Sequence, residues 1–316
     1  MIFDSPMETN TLLKTIRAAA KNNDRVGGLT HRHYKYPARF SPKFVGTAID
    51  VLTKPGDVVL DPYMGGGTTL VEAISKNRRA IGCDLNSLAV FVAGVKTAKL
   101  STRDQASVLH WALDAIPALN YRMPLVGIDE FSDETQTRNL NLPRARAIKK
   151  FIALALTSAE ELPSKRAENF ARCVLLNVAQ WALNGRKAQV DLSRFRQTVT
   201  TTALQMLEST EEYAKTIAAF SRNRREPVLI HDSTANIADD PCWNDGTLAD
   251  LVITSPPYPG IHILYHRWQV DGRKETPAPY WIANKLDGKG AAYYNFGDRQ
   301  REDQDDYFSG ASSNSL

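Results

Sequence analysis

Apolar and polar positions in the first hundred residues follow two alternating periods. Residues 42–52 carry an apolar face at helical spacing, and the preceding Ser41 with Pro42 favours a helix start. Short continuous apolar runs at 58–60 and 79–84 are typical of buried strands, and residues 68–76 between them have helical spacing again. This alternation predicts βαβ units, and therefore an α/β fold with a parallel sheet covered by helices.

The pattern changes in the middle of the chain and then changes back. Residues 101–225 have helical periodicity with little strand character, and strand-like runs return at 227–233 and 249–258. After residue 260 the chain is rich in Gly, Asp, Arg, Tyr and Trp and gives few signs of an ordered core. The sequence therefore predicts a lead and first half of the sheet, a helical insertion and a second half, at residues 1–100, 101–225 and 226–316.

Composition narrows the class of protein without identifying it. The 316 residues are 43% hydrophobic, and no apolar run of about 18 residues or export signal is visible, so we expect a cytoplasmic protein with no membrane role. Three cysteines lie far apart, which favours reduced thiols and predicts no structural metal site. A net charge of +4 is compatible with nucleic acid but decides nothing by itself.

A glycine-rich turn, DPYMGGGTT at residues 61–69, joins the first predicted strand to the next helix. Open α/β sheets bind ligands at this edge, beyond the carboxyl ends of their strands. Gly65 and Gly67 can adopt positive φ, and the helix that begins at Thr68 offers amides to a carboxylate or phosphate. The Gly-Lys pair of a triphosphate-binding loop is missing. A sharp turn without a ligand is the alternative.

Asp84 ends the second predicted strand about 20 residues after the glycine turn, where an acid commonly binds ribose hydroxyls. The alternative is that Asp84 only caps the following helix. A ribose-binding acid indicates a nucleoside cofactor, and both NAD and S-adenosylmethionine contain ribose. The GxGxxG fingerprint of dinucleotide binding is not present in this turn.

The last predicted strand runs into Ser255-Pro256-Pro257-Tyr258. Prolines fix φ and remove N–H donors, so this loop is rigid and its carbonyls remain available to accept hydrogen bonds from an amine. A tight strand exit with Tyr258 packed in the core would also explain the prolines. It would not explain why a polar-Pro-Pro-aromatic sequence and a glycine turn occur in one α/β chain.

These motifs together resemble those of DNA amino-methyltransferases, which commonly carry DPF-x-G-x-GTT after the first strand and Asp, Asn or Ser followed by Pro-Pro-aromatic after a later one. The resemblance implies a Rossmann-like methyltransferase sheet in which residues 1–100 hold the cofactor-binding half and 226–316 the catalytic half. It implies S-adenosylmethionine as cofactor, with no metal. The cofactor-binding residues implied in these motifs are Asp61, Pro62, Gly65, Gly67, Thr68 and Asp84.

The resemblance also implies a substrate and a reaction. Double-stranded DNA would be the partner, and the target base would leave the stack to lie against Tyr258 while the loop from Ser255 orients its exocyclic amine. Ser in the first position goes with cytosine N4 in this family, whereas Asp or Asn goes more often with adenine N6. We expect N4-cytosine methylation by direct attack of the amine; the alternatives are N6-adenine methylation, RNA base methylation and an inactive remnant.

Two further segments extend the resemblance. Residues 36–40, YPARF, resemble the segment that closes over the methionine end of the cofactor, so Arg39 would meet its carboxylate and Phe40 its apolar part. The alternative places Phe40 in the core ahead of a helix. Asp232, which follows the strand-like VLIH, resembles the third-strand acid near the adenine amino group, with an Asp-Ser turn as the alternative.

The residues after Tyr258 are polar and weakly patterned, although the family would place further strands there. We therefore expect a truncated or split methyltransferase whose sheet a second chain completes. The helical insertion between the two halves would either contact DNA or brace the sheet.

Overall fold

The structure is a computed structural model that describes residues 6–22, 24–36, 39–120, 122–123, 135–186, 188, 190–220, 226–256, 267–272 and 274–286. The helices of the first third, α1 to α4, are Pro6–Ala20, Pro42–Leu52, Thr68–Ser75 and Ser87–Thr97. The strands of the main sheet, β1 to β4, are Val58–Asp61, Arg79–Cys83, Val228–Ile230 and Leu251–Val252. No helix in these ranges is long and apolar enough to cross a membrane.

The main sheet has the order β3-β2-β1-β4, and every pair of neighbouring strands is parallel. This confirms the α/β fold class and places β1, which precedes the glycine turn, inside the sheet. β4 is shorter than the predicted run of 249–258. Asp250 explains part of this, because its carboxylate accepts the Val58 amide at 2.8 Å and replaces a regular ladder bond.

Local signals in the sequence account for the first helices. Pro42 occupies the first turn of α2 after Ser41, and Val45 and Ile49 are buried on its inner face. At the start of α4 the Asn86 side chain accepts the Leu88 amide at 2.8 Å, which satisfies one of the unpaired donors of the first turn. α2 begins where the sequence predicts it.

The helical insertion packs onto the sheet. Its helices α5 to α9 are Thr102–His110, Ile116–Ala118, Pro143–Glu160, Lys165–Leu183 and Leu192–Ala218, with a π-helical turn at Trp111–Ala115 before α6. α8 is buried along most of its length between α7, α9 and α4. Tyr213 and Ile217, near the end of α9, share a hydrophobic cluster with side chains of α2, α3 and β1. The insertion therefore braces the sheet.

A hairpin and a short helix follow the main sheet, and they correct one prediction. The antiparallel strands β5 and β6, Trp268–Val270 and Lys274–Thr276, lead into α10, Ala278–Ala283. Trp268 and Tyr280 are fully buried in the same cluster as α8. The expectation of little ordered core after residue 260 was wrong for 267–286, because widely spaced aromatic side chains bury large areas without a periodic pattern.

Candidate active site

Three carboxylates lie at one edge of the main sheet, just beyond the carboxyl ends of adjacent strands. Asp61 is the last residue of β1, Asp84 follows β2, and Asp232 comes two residues after β3. They differ in burial, since Asp61 is 2% exposed, Asp84 is half-buried and Asp232 is exposed. The parallel topology brings these three predicted site residues together at the ligand-binding edge of the fold.

The glycine turn is tied to the end of β2 by hydrogen bonds from its backbone. The Gly65 amide donates to Asp84 Oδ2 at 2.9 Å, and the Met64 amide donates to the Cys83 carbonyl at 3.0 Å. Gly65 and Gly67 have φ values of 46° and 72°, in the left-handed region that favours glycine. Gly67 directly precedes α3, whose first residue, the buried Thr68, stands at the N-terminal end of the helix dipole.

Asp84 braces the turn rather than capping α4. Its Oδ1 accepts the Asn86 amide at 2.9 Å, while Asn86 itself is the N-cap residue of α4. Exclusion of water raises the pKa of Asp84 to about 6, against the two amide hydrogen bonds that lower it, and the nearby Asp61 charge adds to the rise. Each ionised carboxylate oxygen retains lone-pair capacity for a ligand hydroxyl.

Asp61 connects the glycine turn to the segment with the Pro-Pro motif. Thr254 Oγ1 donates to Asp61 Oδ1 at 2.7 Å, and the Tyr63 amide donates to the same oxygen at 3.2 Å. Burial raises the pKa of Asp61, while the hydrogen bonds from Thr254 and Tyr63 oppose the rise. Ser255 therefore begins its loop directly after a residue anchored to the end of β1.

The predicted catalytic residues are described only in part. Ser255 is half-buried and Pro256 is exposed. Pro257 and Tyr258 lie outside the described residues. The Pro62 carbonyl accepts the Thr234 hydroxyl at 2.8 Å, so the turn after β1 is also held by the segment that follows β3.

Arg39 and Phe40 lie in the segment that leads into α2. Arg39 Nη1 donates to the His31 carbonyl at 3.4 Å, and partial burial lowers the pKa of its guanidinium. Phe40 is half-buried against the cluster of the sheet and stands 5.7 Å from Phe44 between ring centroids. This packing matches the alternative in which Phe40 belongs to the core; contact of either residue with a cofactor stays a prediction.

Asp232 forms the Asp-Ser turn of the alternative interpretation while remaining exposed at the sheet edge. Its Oδ1 accepts the Ser233 amide at 2.6 Å and the Asn236 side-chain amide at 3.1 Å. The Cys83 thiol donates to the Asp232 carbonyl at 3.2 Å, which joins the ends of β2 and β3. A role near the adenine amino group stays a prediction.

Sequence reasoning missed the side chains that pack under the glycine turn. A Cβ atom at Gly66 would lie 2.6 Å from Tyr36 Cβ, so Tyr36 contacts this glycine directly. Lys96 Nζ donates to the Gly66 carbonyl at 2.8 Å from a site that is 1% exposed. The signal for Lys96 was available, since it is a lysine within the otherwise apolar α4 sequence SLAVFVAGVKT.

The chemistry of this edge fits S-adenosylmethionine. A glycine turn at a helix N-terminus suits a carboxylate, and an ionisable acid at the end of the second strand suits a ribose. Within the described ranges no group of three or more His, Cys, Asp and Glu side chains could hold a metal ion. Cys83, Cys173 and Cys242 are free thiols.

The fold and the site define a parallel α/β protein with a nucleoside-type ligand edge, and the comparisons with known proteins show which family part of the chain resembles. Residues 8–93 match the model of the DNA methylase family of N6 and N4 methyltransferases. Through this region the chain is similar to the DNA amino-methyltransferases.

Three curated relatives are type II methyltransferases. M.MjaII of Methanocaldococcus jannaschii is 30% identical over 104 residues, which cover 33% of this chain and 19% of that protein. M.MvaI of Kocuria varians is 36% identical over 78 residues, or 24% and 17% of the two chains. M.XycI of Xanthomonas campestris pv. cyanopsidis is 39% identical over 54 residues, or 17% and 18%. The alignments thus span less than a fifth of each relative. No solved structure matches the chain.

Proposed function

We propose that this protein is a site-specific DNA methyltransferase that moves a methyl group from S-adenosylmethionine to the exocyclic N4 amine of cytosine. The observation that carries the proposal is the hydrogen bond from Thr254 to Asp61. It joins the residue before Ser255 to the strand that leads into the glycine turn, so the two motifs are neighbours in space. The match of residues 8–93 to the DNA methylase family supports the same reaction class.

Different residues at the sheet edge would bind different parts of the cofactor. S-adenosylmethionine, when bound, supplies an activated methyl group on a positively charged sulfur. Asp84 would accept hydrogen bonds from the ribose hydroxyls, and Asp232 would accept one from the adenine amino group. The glycine turn would hold the amino-acid end, with Arg39 as a second charge for its carboxylate. Because one parallel edge presents these groups, the chain would hold the cofactor in one orientation.

The Ser255 loop would contribute to catalysis by orienting the target base. Its fixed carbonyls would accept hydrogen bonds from the exocyclic amine and orient the nitrogen lone pair, while Tyr258 would lie against the face of the extruded base. The amine is its own nucleophile, so the reaction requires no cysteine. Burial raises the pKa of the Cys83 thiol to about 12, which keeps the thiol closest to the site protonated.

Ser255 supports cytosine N4 over adenine N6 as the acceptor, because serine in this position accompanies cytosine in the family. The same loop geometry would serve an adenine amine. The deciding experiment incubates the full chain with labelled S-adenosylmethionine and either duplex DNA or tRNA, followed by chromatography of the nucleosides. We expect N4-methylcytosine from DNA.

Each other outcome of this assay has a definite meaning. N6-methyladenine in DNA would show that the acceptor is adenine and not cytosine. A labelled tRNA base would show that the substrate is RNA. Cofactor binding without transfer would identify an inactive protein. A Ser255→Ala variant should lose at least about tenfold in turnover if the Ser255 hydroxyl helps the backbone carbonyls to orient the amine. Full activity of Ser255→Ala would contradict its catalytic assignment.

A second chain that completes the catalytic sheet is also part of the proposal. Within the described residues β4 pairs with β1, and its other edge is where a further strand would add. Titration of a candidate subunit into the methyl-transfer assay tests this idea. Full specific activity of the isolated chain, with no gain on titration, would contradict it.

A further inference from the structure

Lys96 is a cation buried beneath the glycine turn. It lies in the last turn of α4, where its side chain is 1% exposed and its Nζ donates to the Gly66 carbonyl at 2.8 Å. The Thr30 hydroxyl donates to the Lys96 carbonyl at 2.8 Å and fixes this end of the helix. A buried ammonium is costly unless it is hydrogen-bonded and paired with a negative charge.

No Asp or Glu in the described part of the chain forms an ion pair with Lys96. Glu72, which lies in α3 after the turn, bonds His31 Nε2 at 2.7 Å. Arg39 repels the ammonium, and burial raises the pKa of the Cys173 thiol to about 12, so this neighbour is uncharged near neutral pH. Burial accordingly lowers the pKa of Lys96 to about 7. Neither an acid of the described residues nor this thiol therefore neutralises the ammonium form of Lys96.

The Gly66 peptide is the link between Lys96 and the ligand edge. A Cβ at Gly66 would meet Tyr36 Cβ at 2.6 Å and Lys96 Nζ at 3.3 Å, so this residue is packed between the two side chains. The adjacent Gly65 amide is bonded to Asp84. Two consecutive residues of the turn are therefore held by hydrogen bonds. The Gly65 amide donates to the Asp84 carboxylate, and the Gly66 carbonyl accepts from the Lys96 ammonium.

We propose that Lys96 is a positioning residue for the cofactor, which fixes the Gly66 carbonyl and supplies positive charge to an anionic group bound at the glycine turn. This inference rests on the proposed function, in which the anionic group is the carboxylate of S-adenosylmethionine. The Lys96 ammonium is hydrogen-bonded to the turn itself and lies in the low-dielectric interior, where charge interactions are strong. Lys96 raises the affinity of the site for ligands that carry the carboxylate and leaves the affinity for ligands without it unchanged.

Binding measurements test this without turnover. Isothermal titration calorimetry with S-adenosylhomocysteine, which has the carboxylate, and 5′-methylthioadenosine, which lacks the whole amino-acid end, separates the two parts of the cofactor. We expect Lys96→Met to weaken S-adenosylhomocysteine binding about tenfold, the scale of one charge-assisted hydrogen bond. Binding of 5′-methylthioadenosine should change less than about twofold.

Two variants control for fold and hydrogen bonding. Lys99→Met removes the same charge from an exposed position three residues away and should leave both affinities unchanged. Lys96→Gln keeps an N–H donor without charge and should bind S-adenosylhomocysteine almost as weakly as Lys96→Met. Thermal unfolding should show Lys96→Met to be as stable as wild type or more so, since replacing a buried charge with an apolar group is often neutral or stabilising.

Equal weakening of both ligands, or a loss of thermal stability that parallels the loss of affinity, would assign Lys96 a structural role and overturn the inference. Unchanged S-adenosylhomocysteine binding in Lys96→Met would overturn it as well. Failure of the wild-type chain to bind S-adenosylhomocysteine would instead contradict the proposed function on which the inference rests.

Discussion

At the scale of single residues, the candidate site depends on carboxylates whose protonation the fold has changed. Asp84 stands at the junction of the glycine turn and β2, with both oxygens bonded to backbone amides. Exclusion of water moves its pKa to about 6, close to physiological pH. Its state of charge therefore changes at a pH just below neutral.

Cofactor affinity should follow the ionisation of Asp84. The ionised form accepts ribose hydroxyls, and protonation below a pKa of about 6 removes acceptor capacity, so binding should weaken as the pH falls from 7 to 5. Calorimetry with S-adenosylhomocysteine over this range measures the effect. Asp84→Asn should bind about tenfold more weakly at pH 7 and lose most of the pH dependence. An unchanged pH profile in Asp84→Asn would contradict the assignment.

Gly67 should tolerate no side chain. Its φ is 72°, and an added Cβ would lie 2.9 Å from Ala93 Cβ and 3.0 Å from Ala93 Cα. Gly246 provides a matched control, because it has a φ of 75° with no atom within 4 Å of an added Cβ. Gly246→Ala should cost about 1 kcal/mol of unfolding free energy from the backbone conformation, and Gly67→Ala about 3 kcal/mol. Urea unfolding compares them; equal costs would show that α4 moves to accommodate the methyl group.

At the scale of elements, the contact between β1 and β4 aligns the two motifs. Asp250 bonds to Val58 through both its amide and its carboxylate, and the Ile253 amide donates to the Leu60 carbonyl at 3.0 Å. Thr254 then bonds to Asp61. Five consecutive positions, 250–254, are thus held against β1, although only Leu251 and Val252 have regular strand geometry.

Loss of the Thr254 hydroxyl should reduce catalysis more than it reduces cofactor binding. Thr254→Val keeps the shape but leaves the buried Asp61 carboxylate with one hydrogen bond fewer, at a cost of about 1–3 kcal/mol in stability. The Ser255 loop would lose its anchor, so kcat should fall more than the affinity for S-adenosylhomocysteine. Thr201→Val, at an exposed position of α9, is the control. A fall in affinity with unchanged kcat would count against the role of Thr254.

At the scale of the whole molecule, the helical insertion and the sheet share hydrophobic cores. α9 reaches the cluster of α2 and α3 through Tyr213 and Ile217, and α8 packs against α4 and α10. The hairpin that contains Trp268 joins the larger cluster from the other end of the chain. The insertion is therefore part of the structure that supports the site.

Local patterns in the sequence predicted the elements of the first half, and distant contacts account for what they missed. The βαβ alternation and the α2 start at Pro42 depend on neighbouring residues, and they were confirmed. The pairs Thr254 with Asp61 and Lys96 with Gly66 join residues far apart in the chain, which no periodicity reveals. Burial of Trp268 and Tyr280 likewise depends on α8, so the ordered segment at 267–286 was not expected.

The placement of the insertion also sets the order in which the sheet can assemble. β2 ends at Cys83 and its parallel neighbour β3 begins at Val228, so this pairing must close a very long loop, whereas β1 and β2 are joined by α3 alone. Closing this loop costs conformational entropy before the contacts between β2 and β3 can form. Prior folding of the helical insertion shortens the distance that the chain must still close. We expect the amides of β3 to gain protection after those of β2 during refolding, as pulsed hydrogen exchange would measure. Simultaneous protection of β2 and β3 would mean that the ligand edge forms in one step. Later protection of β3 would mean that Asp232, the acid that follows β3, joins Asp61 and Asp84 last.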